Sequence, residues 1–526
     1  MRIAVAGGGP GGLFFAALIR LADPSVEVSV FERNRADDTF GFGVVFSDRT
    51  LAAIHAADPV LRRALAEHGR HWDDIEVRLK GERIRCGGNG MAAVARRTLL
   101  LLLQERARDV GADLRFSTEV TLDDLHGYDL VVAADGAGSK IRDALGPGLG
   151  TAVETATAKF IWFGTDHLFD GLTFVHERSP DGVFAVHGYP ISDTVSTFIV
   201  ETDEASWRRA GLDEFDVTSP PGPSDMRSKE YLEELFADQI NGARLLTNNS
   251  RWAGFRTRRT RHWHTLVPRP VVLVGDAAHT AHFSVGSGTK MAMEDAVSLT
   301  RALTDHPGDL AAALSAYEGA AQPSVRGIQD SARPSLAWWE NFARYYDALE
   351  PWQFAYHFLT RSITDGRLAR RAPDYVEAAH RRWRGEYGTE PLDTPFETPR
   401  WSAPARLVDV TTAADGTPAA VRGMGDLTLS AHPAPGAWGA LLDAPDTEAD
   451  LPTLFDQLDG LNRLPGHSDP VLVAVRGGTP LTRTLLCERA RLRNGLPALY
   501  IEPEPDRDRA LTTVLSGRAD LVGVLR

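Results

Sequence analysis

The feature that most constrains this chain is Gly7-Gly8-Gly9-Pro10-Gly11-Gly12, which follows the apolar run Arg2 to Ala6 directly. Leu13 to Leu21 then has helical composition, and Val26 to Phe31 reads as a second strand ending at Glu32. Strand, glycine loop, helix, strand and acid in that order predict the first βαβ unit of a dinucleotide fold. Gly7 permits the tight turn, Gly9 lets backbone approach a pyrophosphate, and Gly12 lets the helix pack on the strand; Pro10 and Gly11 complete the loop. The helix N-terminus offers free N–H groups and the positive end of a dipole to the phosphates. Glu32, about twenty residues beyond the loop, is placed to accept hydrogen bonds from an adenosine ribose. This motif alone leaves FAD and NAD equally open.

Two further segments repeat the same punctuation. Leu130 to Ala134 is an apolar run ending at Asp135-Gly136, and Val271 to Val274 is a buried-type strand ending at Gly275-Asp276. An aspartate at such a strand end can accept from a ribityl hydroxyl. The turn through Gly286, Gly288 and Thr289 opens a helix whose N–H groups suit the N1/C2=O edge of a flavin, where the dipole favours the anionic reduced ring. Only one complete G-x-G-x-x-G is present, so there is no second Rossmann domain for a nicotinamide nucleotide. A reductant that visits a shared cleft fits better than a protein with two dinucleotide domains.

Composition narrows the function classes. The chain has 526 residues, 43% of them hydrophobic and 24% charged, which suits a multidomain globular protein. Its formal net charge of −14 disfavours nucleic acid as a partner without a concentrated basic patch. Cys86 and Cys487 cannot form a disulfide framework and match no zinc spacing, and no H-E-x-x-H set occurs, so no metal site is expected. With neither a signal-peptide pattern nor an apolar run near bilayer length, the reading is cytoplasmic and not membrane-bound.

Along the chain, residues 1–154 and 256–385 read as two parts of a flavin-binding domain, the second continuing into a helical segment. Between them, 155–255 carries alternating β-type sequence such as Thr194 to Val200 and reads as an inserted sheet domain for substrate. Pro391, Pro395, Pro399 and Pro404 interrupt any helix and set a boundary, leaving 391–526 as a separate small α/β domain.

Taken together, Gly7 to Gly12, Asp135-Gly136-Ala137-Gly138-Ser139 with Arg142, and Gly275-Asp276 through Gly286-Ser287-Gly288 resemble the three fingerprints of aromatic-ring flavoprotein hydroxylases. Phe42 to Asp48, His279 to Lys290, Ser335-Leu336, Trp339-Glu340-Asn341 and Leu359 to Ser362 narrow the resemblance to the hydroxylases of salicylyl-CoA and 2-aminobenzoyl-CoA, over about residues 1–385. Phe283 and Lys290, where proline and asparagine are usual in the wider group, agree with this narrower one. The resemblance implies a p-hydroxybenzoate-hydroxylase-type α/β fold with bound FAD. It implies reduction by NADH or NADPH, reaction with O2, and transfer of one oxygen from a C4a-hydroperoxyflavin to C5 of a 2-substituted benzoyl-CoA. That carbon is para to the amino or hydroxyl group, which donates electron density to it. Arg96 matches a flavin-contacting arginine of the family, and Arg33 stands beside Glu32 at the cofactor.

The pocket candidates are His282, Phe283, Ser284 and Val285 beside the flavin helix, Val45 and Phe46 from the first domain, and His187 and Tyr189 from the inserted sheet. His282 and Ser284 are the expected catalytic pair. CoA phosphates require arginines, and Arg256 with Arg258, Arg259 and Arg261 is one candidate cluster; Arg367, Arg370 and Arg371 form another. The tail is similar in Thr394-Pro395-Phe396, Ala414 to Pro418 and Ser516 to Leu521 to the two ends of an old-yellow-enzyme barrel. It is too short for a full (β/α)₈ barrel and lacks paired active-site histidines, so a shrunken remnant without FMN is expected. A homodimer is expected from the general prevalence of twofold assemblies. Competing readings are a hydroxylase of the free aromatic acid and a flavin-binding redox or scaffold partner. A flavin halogenase is disfavoured because no W-x-W-x-I-P segment is present.

Overall fold

The computed structural model describes residues 1–39, 41–215, 224–286, 288–461 and 469–526. It divides into two compact units, Met1–Arg83 with Gly88–Glu340, and Ile84–Gly87 with Asn341–Arg526.

The first unit contains a six-stranded sheet in the order His264–Thr265, Val271–Leu273, Leu130–Ala133, Arg2–Ala6, Glu27–Phe31, Asp113–Arg115. Arg2–Ala6 pairs parallel with both neighbours, with Val5 opposite Val30 on one side and Val132 on the other. Its centre is buried on both faces, which is why Ile3, Val5, Leu130, Val131, Val132, Val271 and Val272 form nearly unbroken apolar runs. The helix Pro10–Ala22 starts with Pro at its first turn and Gly9 extended at the N-cap. Leu13 to Ile19 are all buried because the helix packs between the sheet and the helices Arg96–Asp109 and Gly288–Asp305.

A second, mainly antiparallel sheet carries Thr151–Thr165, Ser196–Thr202, Gly182–Pro190 and Leu172–Ser179 side by side. Ala253–Thr260 returns along Thr151–Thr165 and closes the excursion. The sheet is not confined to the expected insertion at 155–255. Ile75–Leu79, from the first block, joins it parallel to Leu172–Ser179, with Val77 opposite Phe174. Within the later block its strands run from Thr151 to Thr260, past both expected boundaries.

The second unit begins at Asn341, so the boundary expected at 391 falls inside it. The helices Pro351–Leu359 and Pro373–Tyr387 share an apolar cluster with the tail, through Tyr356, Trp383 and Leu392 against Trp438, Leu486 and Leu515. The prolines after 391 instead mark the start of a closed barrel. Its seven strands run from Leu407–Thr412 to Leu521–Leu525 and close by parallel pairing of first and last, Leu407 opposite Val522. The barrel closes without eight βα units because Pro418–Val421 supplies an antiparallel turn-back. Only three longer helices, Leu451–Leu461, Pro480–Leu492 and Arg507–Leu515, then connect the parallel strands among the described residues. Cys86 and Cys487 are both buried, and neither is in a disulfide.

Candidate active site

All three glycine turns lie at carboxyl ends of the parallel strands, where an α/β sheet binds its ligand. Gly7 sits at φ +109 against the carbonyl of Ala134, 2.2 Å from where a Cβ would stand, so only glycine fits. At Gly12 a Cβ would lie 2.3 Å from the Gly7 carbonyl oxygen. Gly9, Gly136, Gly286 and Gly288 are different, since a Cβ at any of them would meet nothing within 4 Å. These four glycines present bare backbone to open space, as a cradle for a pyrophosphate and a flavin edge requires. Glu32 accepts from the Gly8 N–H at 2.8 Å and from Asn34, which fixes its carboxylate at the loop. Arg33 is exposed beside it.

Asp135 accepts from the Ile141 N–H at 3.2 Å with one oxygen, while its buried Oδ1 has no hydrogen-bond partner in the protein. Arg142, buried, donates to the carbonyls of Ala137 and Ala277 and so ties the Asp135 turn to the Asp276 turn. Asp295 secures the latter, accepting from the Gly275 N–H at 2.8 Å and facing His279 Nε2 at 2.7 Å. Asp276 is accessible to solvent yet surrounded by protein at longer range. That surrounding burial pushes its carboxyl above the usual range, against the pull of His279, Arg96 and Arg258. Burial in turn draws Arg96 down from its ordinary value, against the attraction of Asp276 and Tyr189. The glycine cradle and the unpaired Asp135 oxygen fit FAD.

The face of the second sheet supplies an aromatic and polar wall. Phe283 packs on Phe160 at 4.8 Å, His187 at 5.5 Å and Phe255 at 6.0 Å between ring centroids. His187 lies 4.4 Å from Trp339, which also stacks on His176 at 6.1 Å. His176 is fully enclosed, and burial first, then the neighbouring His187, pushes its pKa down to about 3. His282 caps the turn Phe283–Val285, its Nδ1 accepting from the Ser284 N–H at 3.3 Å and meeting Ser284 Oγ at 2.7 Å. Ser284 Oγ in turn lies 2.9 Å from Ser335 Oγ. The Val285 side chain lies outside the described residues.

The structure brings His187, His282, Phe283 and Ser284 together and separates other candidates. Val45 and Phe46 are successive residues of the strand Gly43–Ser47 and face opposite ways. Phe46 is in the core of the flavin-binding sheet, whereas Val45 packs with the Trp72, Ala93, Tyr189 and Ile191 cluster. The expectation that both line one pocket therefore fails for Phe46. Tyr189 is buried in that cluster, its hydroxyl donating to the Gly43 carbonyl at 3.4 Å, and burial pushes its pKa up to about 12. Arg256 is exposed, Arg258 is buried with Nη1 on the Asp276 carbonyl at 3.3 Å, and Arg259 is taken up by Gln329 and Asp330. His264 is held at 2.7 Å by Glu318, a packing role.

One central residue was not anticipated. Glu201, 1% exposed, stands between the two histidines, with Oε1 2.7 Å from His187 Nε2 and Oε2 3.7 Å from His282 Nε2. Its available signal was a carboxylate closing the apolar run Phe198-Ile199-Val200. The register places it opposite Ala185, two positions from His187 and so on the same face.

The fold and this site define an FAD-dependent monooxygenase of the aromatic-ring hydroxylase class. Residues 1–332 match the FAD binding domain family, and the chain belongs to that family of flavin-dependent hydroxylases. It is 55% identical, over 99% of both chains, to a salicyloyl-CoA 5-hydroxylase of a Streptomyces species. It is 38% identical to the 3-hydroxy-4-methyl-anthranilyl-[aryl-carrier protein] 5-monooxygenase of Streptosporangium sibiricum, over 64% of this chain and 89% of that one. Among solved structures, 2-methyl-3-hydroxypyridine-5-carboxylic acid oxygenase superposes with a TM-score of 0.52 at 21% identity, covering 64% of this chain and 92% of that chain. This last likeness shows the fold. Among the described residues no helix is long and apolar enough to cross a membrane, and no group of three or more His, Cys, Asp or Glu could hold a metal ion.

Proposed function

We propose that this chain hydroxylates a 2-substituted benzoyl-CoA thioester at C5, with salicyloyl-CoA and 2-aminobenzoyl-CoA as the substrates to test first. The overall change would be ring C–H + O2 + NAD(P)H + H⁺ → ring C–OH + NAD(P)⁺ + H2O. The observation that carries the reading is the wall of Phe160, His187, Phe283 and Trp339 around the Ser284–His282 pair, one turn before the glycines at the flavin helix. The named activity of the full-length relative supports it.

FAD, when bound, supplies the activation of O2 and the electrophilic oxygen. Gly7, Gly9, Pro10, Gly11, Gly12, Glu32, Arg33, Arg96, Asp135, Gly136, Gly275, Asp276, Gly286, Gly288 and Thr289 would hold it. The remaining work belongs to the chain: Phe283, His187 and Trp339 orient the ring and exclude water, and Ser284 hydrogen-bonds the ring's ortho donor or the thioester carbonyl. Val45 and Arg256 are proposed at the substrate, with Arg256 toward the CoA phosphates. The carrier-protein relative is matched over 64% of this chain and the CoA relative over 99%. A cytoplasmic homodimer is the proposed setting.

The test is NAD(P)H oxidation by purified yellow protein with each thioester and each free acid. Stimulation by a thioester alone supports the reading. Equal stimulation by the free acids would favour a free-acid hydroxylase.

A further inference from the structure

A fully enclosed carboxylate on an aromatic sheet face is costly unless its charge is matched, and it stays charged only where partners justify it. Glu201 has an imidazole nitrogen close to each of its two oxygens. Its two oxygens face separate histidines, His187 from the strand Gly182–Pro190 and His282 from the turn before the flavin helix. His282 is itself in a defined tautomeric setting. Its Nδ1 accepts from the Ser284 N–H, so in the neutral ring the proton sits on Nε2, which lies 3.7 Å from Glu201 Oε2. Ser284 Oγ at 2.7 Å can then donate its own proton to the same Nδ1. The array Ser335–Ser284–His282–Glu201 thus has the order hydroxyl, imidazole, carboxylate, in which a carboxylate fixes the base and stabilises its cation. Ser284 is its half-buried member, whereas Ser335, His282 and Glu201 are almost completely enclosed.

We propose that Glu201 is a positioning residue for the hydroxylation, fixing His282 as the acceptor of the proton that leaves the ring. The inference rests on the reading of the chain as an aromatic hydroxylase. When the C5–O bond forms at the expense of O2 and NAD(P)H, C5 briefly carries both oxygen and hydrogen. Aromaticity returns when the C5–H bond breaks, its electron pair entering the ring and its proton departing. Ser284 Oγ receives that proton, or that of the ortho donor, and passes its own to His282 Nδ1. The imidazolium so formed is paired with Glu201. Among the described residues, the titratable groups on the His282 side of the sheet include Glu201 and, beyond it, His187, with His176 one strand further; Phe255 and Phe283 pack against the ring.

The experiment compares Glu201→Gln with wild type, both loaded with FAD, in two assays. In the first, histidines labelled with ¹³C at Cε1 are titrated by NMR, and the His282 signal is assigned by its loss in His282→Asn. An opposite charge this close raises a histidine pKa by about one to three units, so the His282 midpoint is expected to fall by at least about one pH unit in Glu201→Gln. In the second, kcat for the thioester is expected to drop at least about tenfold, with KM little changed and the acid limb of the kcat profile moved to lower pH. Glu201→Asp, which keeps the charge, is expected to restore most of the midpoint, and it serves if the amide variant folds poorly. An unchanged His282 midpoint, or an unchanged kcat and acid limb, would overturn the proposal. The titration needs no turnover, so wild-type protein that oxygenates no thioester defeats the hydroxylase reading separately from the Glu201–His282 pairing.

Discussion

Gly9 and Gly12 differ by three positions in one loop, and a methyl group added to each should do opposite things. At Gly12 a Cβ would stand 2.3 Å from the Gly7 carbonyl oxygen, 3.0 Å from Val5 and 3.1 Å from Ala134, all rigid groups. Gly12→Ala must therefore separate helix from strand, an overpacking cost of about 1–3 kcal/mol even without cofactor. At Gly9 the backbone is extended, φ −76 and ψ 176, which alanine adopts freely, and a Cβ meets nothing within 4 Å. The unfolded chain loses about 0.4–1 kcal/mol of conformational freedom, offset by a loss of similar size because alanine is a poorer N-cap than glycine, so apoprotein stability should change by less than about 1 kcal/mol. The methyl would instead occupy the space through which backbone N–H groups approach a pyrophosphate. Losing one charge-assisted hydrogen bond costs about 1.5–3 kcal/mol, equivalent to roughly 10- to 150-fold weaker FAD binding. Apoprotein of each variant, titrated with FAD by quenching of flavin fluorescence and unfolded in urea without FAD, separates the two effects. Wild-type FAD affinity in Gly9→Ala, or equal apoprotein destabilisation by both substitutions, would refute the cradle.

Three further outcomes follow from the same geometry. Asp295→Ala leaves His279 Nε2 and the Gly275 N–H buried without their acceptor, and urea unfolding of the holoprotein should show a loss of about 3–5 kcal/mol. His176 has a folded pKa of about 3 against an ordinary value of 6.5, so the unfolded chain binds its proton first and stability falls as pH drops from 6.5 toward 3. His176→Phe should flatten that acid decline in thermal melts of the holoprotein, and an equally steep decline would count against it. Ser284→Ala removes the hydroxyl between His282 and Ser335 and should lower product formed per NAD(P)H consumed, measured as excess hydrogen peroxide, without altering FAD content.

Short-range chemistry made the glycine turns readable in sequence. Each glycine turn is a local object whose strand, loop and helix lie within about thirty residues, and Glu32, Asp135 and Asp276 are read from it, whereas Arg96 was named only through the family resemblance. What depends on distant pairing was not readable. The barrel closes by laying Leu407 beside Val522, and its missing βα units are replaced by a turn-back at Pro418–Val421 that resembles an ordinary hairpin. Pro323 and Pro334 sit inside the helix Leu310–Ala348, so proline as punctuation served poorly in this half of the chain. Glu201 escaped notice because its significance lies in a diagonal across two strands, which only the register reveals. Val45 and Phe46 show the converse error: adjacency in sequence was treated as adjacency in space, although a strand alternates its faces.

The most direct test of the central claim is the mass and structure of the product formed from salicyloyl-CoA by FAD-loaded enzyme with NAD(P)H under ¹⁸O2. The account predicts a 5-hydroxylated thioester carrying one ¹⁸O atom. An unchanged thioester with only peroxide released, or an oxygen drawn from water, would contradict it.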